Sequence, residues 1–327
     1  MKKQMCLVIC ALCLMAPASG FGQARLTGAD LVGAITDASG GVLPGTIVTV
    51  TNVETNVTRS MVTDASGRYL VPALPPGTYT VKVELQGFTS KTRSGVVLAL
   101  GQAVTVDFSL EIGAASEQLT VTADAPLLQV GRTELSSVVN QQFIDNLPIN
   151  GRDFISFSVI TPGVAPDRTP QQGASSTSGL SFTGQRARSN NIMVDGLDNN
   201  DPVVGAVRAT FSQEAIREFQ VLADSYSAEF GKASGGVVNI VTKSGTNRVR
   251  GNTFFYLRDK SLNAKNYFDK YDIFGNPVNL EKAPYNQKQW GATLGGPLQK
   301  DRTFYFASFE RNHVADSRLV TIDPTAA

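Results

Sequence analysis

Alternation with a period of two dominates the first third of the chain. In Tyr79-Thr80-Val81-Lys82-Val83-Glu84-Leu85, Tyr79, Val81, Val83 and Leu85 share one face and Thr80, Lys82 and Glu84 the other. That is the pattern of a strand with one buried side. Short runs rich in Val, Thr and Tyr recur at Leu31–Thr36, Ile47–Val53, Tyr69–Val71, Val96–Leu100 and Val104–Leu110. Turn residues separate them at the spacing of a sandwich, so an all-β sandwich is expected over residues 27–112. The pentapeptide Thr-Asp-Ala-Ser-Gly occurs at Thr36–Gly40 and again at Thr63–Gly67. Asp bonds its own backbone readily and Gly takes positive φ, so two similar turns are expected; a calcium site there would need more oxygen ligands.

Around Ala114–Ala125 the alternation breaks, leaving the short β-prone segment Glu117-Gln118-Leu119-Thr120-Val121-Thr122-Ala123 in a polar stretch. It is either a linker, the last strand of the sandwich, or a docking segment that adds to a partner's sheet edge. Residues 127–245 then mix helix and strand. Helical turns are expected at Asn140–Asn146, before Pro148, and at Asp153–Ile160, before Pro162. Thr169–Gly184 is rich in Ser, Gly, Gln and Thr and reads as a loop. Asn191–Val194 is expected as a strand ending in the Asp195-Gly196 turn, Ala215–Leu222 as a short amphipathic element, and Gly235–Thr242 as a buried strand entered through two glycines.

From Val249 the chain turns aromatic. One strand is expected at Asn252–Arg258, and a hairpin at Gln287–Gly295 and Thr303–Arg311, joined through Pro297–Asp301. In the second of these strands Lys288, Trp290, Ala292 and Leu294 share one face, and Gln287, Gln289, Gly291 and Thr293 the other. A soluble hairpin and the apolar-out, polar-in wall of a membrane barrel both show this dyad. Three strands cannot close a barrel, since plugged outer-membrane transporters use about 22. On the barrel reading, residues 246–327 are the start of an incomplete barrel.

Composition narrows the classes. The 29 basic and 28 acidic residues nearly cancel, so no nucleic-acid partner is expected. Lys2 and Lys3 followed by the apolar run Met5–Met15 and small residues form an export signal over residues 1–24, too short to span a bilayer. All three cysteines, Cys6, Cys10 and Cys13, lie inside it. The exported chain thus has no disulfide framework and no thiolate metal site. No later segment has the length of a transmembrane helix, which leaves periplasm, exterior or a β-barrel.

Candidate chemistry is sparse. His313 is the single histidine, expected in a solvated turn beyond the third strand. No Gly-x-Ser-x-Gly nucleophile elbow accompanies it, and Gly231-Lys232 lacks the upstream glycine of a phosphate-binding loop. Asp195, Asp198 and Asp201 with Asn199 and Asn200 form an acidic cluster that suits a solvated loop better than Ca²⁺. No catalytic, cofactor or metal residue is expected, and no enzyme.

Two series of motifs resemble known families. Val32–Asp37, Leu43–Val50, Thr63–Tyr69 and Leu74–Tyr79 resemble a carboxypeptidase regulatory-like domain. That resemblance implies a prealbumin-like sandwich, similar in fold to some carbohydrate-binding modules and without peptidase activity. Leu147–Phe154, Gly184-Gln185-Arg186 with Ile192–Gly196, Ile216–Val221 and Glu229–Lys243 resemble the plug domain of a TonB-dependent receptor over 127–245. Within them Asp195, Gly196, Arg217, Glu218, Gly231, Gly235, Gly236 and Asn239 are the motif residues. Many plugs carry Arg-Gly-Pro where this chain has Leu222–Ala228. With the N-terminal sandwich, that departure resembles the Oar-like branch, and siderophore specificity is not carried over.

The resemblance implies a mainly β fold of sandwich, α+β plug and outer-membrane barrel. It also implies energised uptake driven through TonB and its inner-membrane complex. The TonB box would be Glu117–Ala123, within a linker over 113–126. Outer-membrane lipid and a ligand, an oligosaccharide or peptide, would be the other partners. The alternative from a different class is a secreted or surface carbohydrate- or protein-binding sandwich without transport.

Overall fold

The computed structural model describes residues 27–113, 118–122, 135–146, 154–167, 179–202, 205, 207–227, 229–265, 270, 276–277, 281–282 and 284–316. The export signal, its cysteines and residues 147–153 of the first plug-like motif lie outside them. Among the described residues the structure is mainly β, with a single α-helix of six residues. It divides into two compact units: residues up to Thr210 together with Ile216–Thr242, and Phe211–Ala215 together with Lys243 onward.

The first unit begins with a sandwich. Its strands are β1 (Ala29–Asp37), β2 (Ile47–Asn52), β3 (Thr58–Val62), β4 (Arg68–Leu74), β5 (Gly77–Glu84), β6 (Ser90–Leu98), β7 (Ala103–Thr105), β8 (Phe108–Leu110) and β9 (Gln118–Thr122). One sheet is centred on β1, which pairs antiparallel with β4 and parallel with β7 and then β8. The other runs β3-β2-β5-β6-β9. Alternation works as expected: Tyr79, Val81 and Val83 join Leu31, Ile35, Val48 and Val50 in one buried cluster, with Leu85 partly buried against it. Each such side chain removed from water contributes about 1.5–3 kcal/mol.

The run at 104–110 is two strands rather than one. At the break, Asp107 Oδ1 accepts the Ala34 N–H at 2.7 Å, and the Tyr69 hydroxyl donates to Val106 O at 2.6 Å. A Cβ on Gly33 would lie 2.0 Å from that same Val106 oxygen, so the kink needs glycine opposite it. The duplicated pentapeptide does make the same turn twice. Asp37 Oδ1 accepts from Ser39 N, Ser39 Oγ and Gly41 N, and Asp64 Oδ1 from Ser66 N, Ser66 Oγ and Arg68 N. These bonds, led by the serine hydroxyls, pull both carboxyls below the usual range.

The rest of the first unit is built on a sheet of order β10-β15-β16-β13-β14. Its strands are β10 (Leu135–Val139), β13 (Asn191–Val194), β14 (Leu197–Asp198), β15 (Ile216–Asp224) and β16 (Val237–Thr242), and a separate pair joins β11 (Val164–Pro166) to β12 (Leu180–Phe182). Helix α1 (Gln141–Asn146) and a 3₁₀ turn at Phe154–Ile160 occupy the expected helical positions. Phe157 from that turn meets Phe219 of β15 edge-on at 5.6 Å. Two expectations fail here. Residues 180–182, read as loop, form β12, and of Ala215–Leu222, read as amphipathic, all but Ala215 lies in a strand buried on both faces. Its polar positions are covered by protein rather than water.

The second unit carries an antiparallel sheet of β17 (Arg250–Asp259), β18 (Tyr285–Gln299) and β19 (Thr303–Asp316). All three strands outrun the expected limits, and the expected connection Pro297–Asp301 narrows to a turn after Gln299. His313 therefore sits inside β19 opposite Lys288, exposed, and not beyond the strand. The sheet is inside out relative to a soluble protein. Gln287 and Gln289 are 8% and 3% exposed, while Trp290, Leu294 and Phe309 are 45%, 48% and 57% exposed. Gln289 Nε2 donates to Glu310 Oε1 at 2.6 Å on the covered side, and Trp290 packs on Phe309 at 5.5 Å on the open side. Polar residues facing inward and aromatics facing outward are what lipid demands of a barrel wall.

Leu31 is fully buried at the centre of the sandwich core. Replacing it with alanine is expected to lower unfolding stability by about 2–5 kcal/mol, read as a fall in the denaturant midpoint at unchanged slope.

Candidate functional site

The second half of β13 leads into a two-residue turn. Asp195 and Gly196 both have positive φ, 50° and 79°, and Val194 pairs with Leu197 across it. That geometry suits the Asp-Gly pair expected there. The Asp195 carboxylate accepts the Thr242 N–H at 2.9 Å and the Thr242 hydroxyl at 2.8 Å, fastening the hairpin to the end of β16. Asp198 accepts Asn200 N and Nδ2 at 2.9 and 2.7 Å, and Lys232 Nζ at 2.7 Å. The Lys232 bond is the main cause of its pKa of about 2. Among the described residues no group of three or more His, Cys, Asp or Glu is placed to hold a metal.

Gly231, Gly235 and Gly236 meet the start of β13. Asn191 Nδ2 donates to Gly231 O at 2.7 Å, and Asn190 bridges Leu180 O and Gly236 N at 2.7 and 3.2 Å. A Cβ would lie 2.3 Å from Asn190 Oδ1 at Gly235 and 2.0 Å from Phe182 Cδ1 at Gly236. The two glycines thus permit an amide and a ring to press on the backbone. Asn239 is fully buried in β16, in register with Gln220 on one side and Met193 on the other. Asn190 and Phe182 were missed by sequence reasoning. The only signal was the doubled Asn before an apolar strand.

Arg217 and Glu218 face the sandwich. Glu218 Oε2 accepts the Leu100 N–H at 2.8 Å, and Arg217 Nη2 lies 3.3 Å from Glu54 Oε2. Gln220, two residues on, presses its amide against Gly101, where a Cβ would come within 2.5 Å of Oε1. Gly101 has φ +68°, so the turn Leu100-Gly101 fits flat over the strand. Burial raises the Glu218 pKa, opposed by the Leu100 N–H and by Arg217. Nothing in the motif alone pointed to Leu100 or Glu54, more than a hundred residues away in sequence.

Of the candidate box, Gln118–Thr122 is β9, while Glu117 and Ala123 lie outside the described residues. β9 runs parallel to β6 at the edge of the five-stranded sheet, from Ser90↔Gln118 to Ser94↔Thr122. Gln118–Thr122 is therefore an edge strand of that sheet.

Residues 30–111 match the carboxypeptidase regulatory-like domain, and residues 241–327 match an outer membrane beta barrel domain. Over 311 residues, 92% of its length, the chain is 30% identical to the TonB-dependent transporter Oar of Myxococcus xanthus. The chain is a relative of a TonB-dependent transporter. It spans 28% of that relative's length. Its location is the outer membrane.

Among solved structures, it is similar to the outer membrane transporter YddB from Escherichia coli, at 14% identity over 54% of this chain and 26% of that one, with a TM-score of 0.42. It is also similar to 3-chlorocatechol 1,2-dioxygenase from Rhodococcus opacus 1CP, at 12% identity over 27% of this chain and 60% of that one, with a TM-score of 0.21. Neither fit is close enough to bear on what the chain does.

Two substitutions probe these contacts. Gly236→Ala forces the Phe182 ring aside and is expected to cost about 1–3 kcal/mol, read in thermal unfolding. Glu218→Gln keeps an oxygen for the Leu100 N–H and removes a buried charge. A carboxyl whose folded pKa is raised favours the folded state at low pH and loses that contribution as pH rises through the folded value. The Gln variant is therefore expected to be the more stable form at pH 7, with the difference vanishing as pH falls toward the ordinary glutamate value of 4.5. Melting curves of both proteins across that window measure it.

Proposed function

We propose that the chain is the gate-bearing N-terminal part of a TonB-dependent outer-membrane transporter for energised uptake of a ligand. The observation that carries this reading is the 30% identity to Oar, which continues across 92% of the chain rather than stopping at one domain. The inside-out sheet β17–β19 supports it, because its outward aromatics suit a lipid-facing wall.

In this reading residues 127–245 are the plug and Glu117–Ala123 the TonB box. The ties that close the plug are non-covalent and local. Asp195 accepts the backbone N–H and the hydroxyl of Thr242, and Asp198 pairs with Lys232, both at sheet ends; an exposed ion pair such as the second is worth about 1 kcal/mol or less. A gate fastened this way holds at rest and yields to a directed pull. Outer-membrane lipid, TonB with its inner-membrane complex, and an oligosaccharide or peptide ligand are the proposed partners. No side chain in the plug motifs is assigned a chemical step: Asp195 and Glu218 both serve as hydrogen-bond acceptors for backbone N–H groups.

The test is capture of the whole chain, in detergent, on an immobilised periplasmic domain of TonB, with and without residues 117–123. The intact chain is expected to be retained and the deletion to pass through. Equal retention of both would remove the box assignment.

A further inference from the structure

The sandwich and the sheet built on β15 lie in one compact unit, and the strand surface beneath the sandwich is made of groups that lose by being buried. Glu218 and Gln220 project from the same face of β15, and Asn239 of β16 stands in register beside Gln220. The three are 9%, 1% and 0% exposed. Burying the Glu218 carboxylate is costly, and the Leu100 N–H offsets only part of that cost. Gln220 Oε1 has no hydrogen-bond partner among the described residues, which adds a desolvation penalty. Parts of a chain that stay together permanently meet over large apolar surfaces, and a polar contact of this kind belongs to parts that move relative to each other.

The sandwich side of the contact is tied to itself. In the turn at residues 99–102, Ala99 N donates to Gln102 Oε1 at 3.3 Å, Gly101 N to Gly28 O at 2.9 Å and Gln102 N to Ala99 O at 3.1 Å, all within the sandwich. The Leu100 N–H is the one of these four that leaves it, for Glu218. A second sandwich loop reaches the same strand, where Glu54 meets Arg217 at 3.3 Å with both side chains partly exposed.

We infer that the sandwich is seated on β15 as a separable body, which lifts away whole with its own turns intact and leaves Glu218 and Gln220 as a wetted strip. Lifting gives up the Leu100 hydrogen bond, the burial of the Leu100 side chain and a solvent-screened ion pair, and it returns a carboxylate and an amide to water. With terms on both sides, the seated and lifted states exchange in the folded protein. Seated, the sandwich braces β15; lifted, it leaves that strand to its own sheet. The seam goes beyond the gate reading and does not depend on it. Capture on TonB tests the gate, and exchange of the Leu100 amide tests the seam.

Amide hydrogen exchange of the whole chain in detergent, resolved to single residues, reads the lifting directly. Leu100 is expected to exchange at least about tenfold faster than Gly101, Gln102 and the amides of β5, yet more slowly than an unprotected amide. Exchange of Leu100 together with Gly101 and Gln102 overturns the inference, because the turn then frays by itself. Exchange as slow as β5 overturns it too, since the sandwich then leaves β15 only on unfolding. An unprotected Leu100 means that the sandwich is not seated at all. Two variants check the balance. Arg217→Ala removes the ion pair and is expected to speed Leu100 exchange about twofold or more, with β5 unchanged. Gln220→Met keeps the length of the side chain without its partnerless oxygen, and is expected to slow Leu100 exchange about threefold or more. No slowing in Gln220→Met overturns the claim that the buried strip works against seating.

Discussion

Every backbone N–H and C=O in these sheets needs a partner, and how the chain deals with its sheet edges organises the rest of the structure. Inside the sandwich, the kink between β7 and β8 is tolerated because Asp107 supplies the oxygen that a continuous strand would have offered to Ala34. At the end of the hairpin β13–β14, Asp195 satisfies the N–H of Thr242 where strand pairing gives out. In both places an aspartate side chain substitutes for a backbone carbonyl. The same need drives β3 against β4 through Arg59, and lays the segment 118–122 along β6.

Much of this was legible in the amino-acid sequence. Strict alternation marked β5, because one face of it is core and the other water. The duplicated Asp-Ala-Ser-Gly turns were readable because the hydrogen bonds lie within five residues of each other. The Asp195-Gly196 turn and the glycine entry to β16 were readable for the same local reason. Illegible elements share the opposite property. β3 is exposed at every position, so it carries no hydrophobic period. β15 is buried on both faces, and its amphipathic pattern hides this because Glu218 and Gln220 are covered by Leu100 and Gly101 of the sandwich. β12 is three residues long and is held by a partner strand, not by its own propensity.

The glycine-rich stretch before β16 shows how a motif can be recognised without its reason being visible. Gly231, Gly235 and Gly236 were identifiable as a group. Their physical roles differ. Gly231 offers a carbonyl to Asn191, and Gly235 and Gly236 leave room for Asn190 and Phe182. The residues that impose the requirement come from β12 (Phe182), from β13 (Asn191) and from the position just before β13 (Asn190), so no local pattern names them.

The reversed sheet β17–β19 has a consequence for the protein's biosynthesis. Phe255, Trp290, Leu294 and Phe309 stand exposed on strands whose polar side is the covered one. In an aqueous compartment that wall is adhesive, because its outward face attracts any other apolar surface. Lipid on that outward face removes the hazard, so the β17–β19 wall is safe only if it meets lipid before it meets another copy of itself.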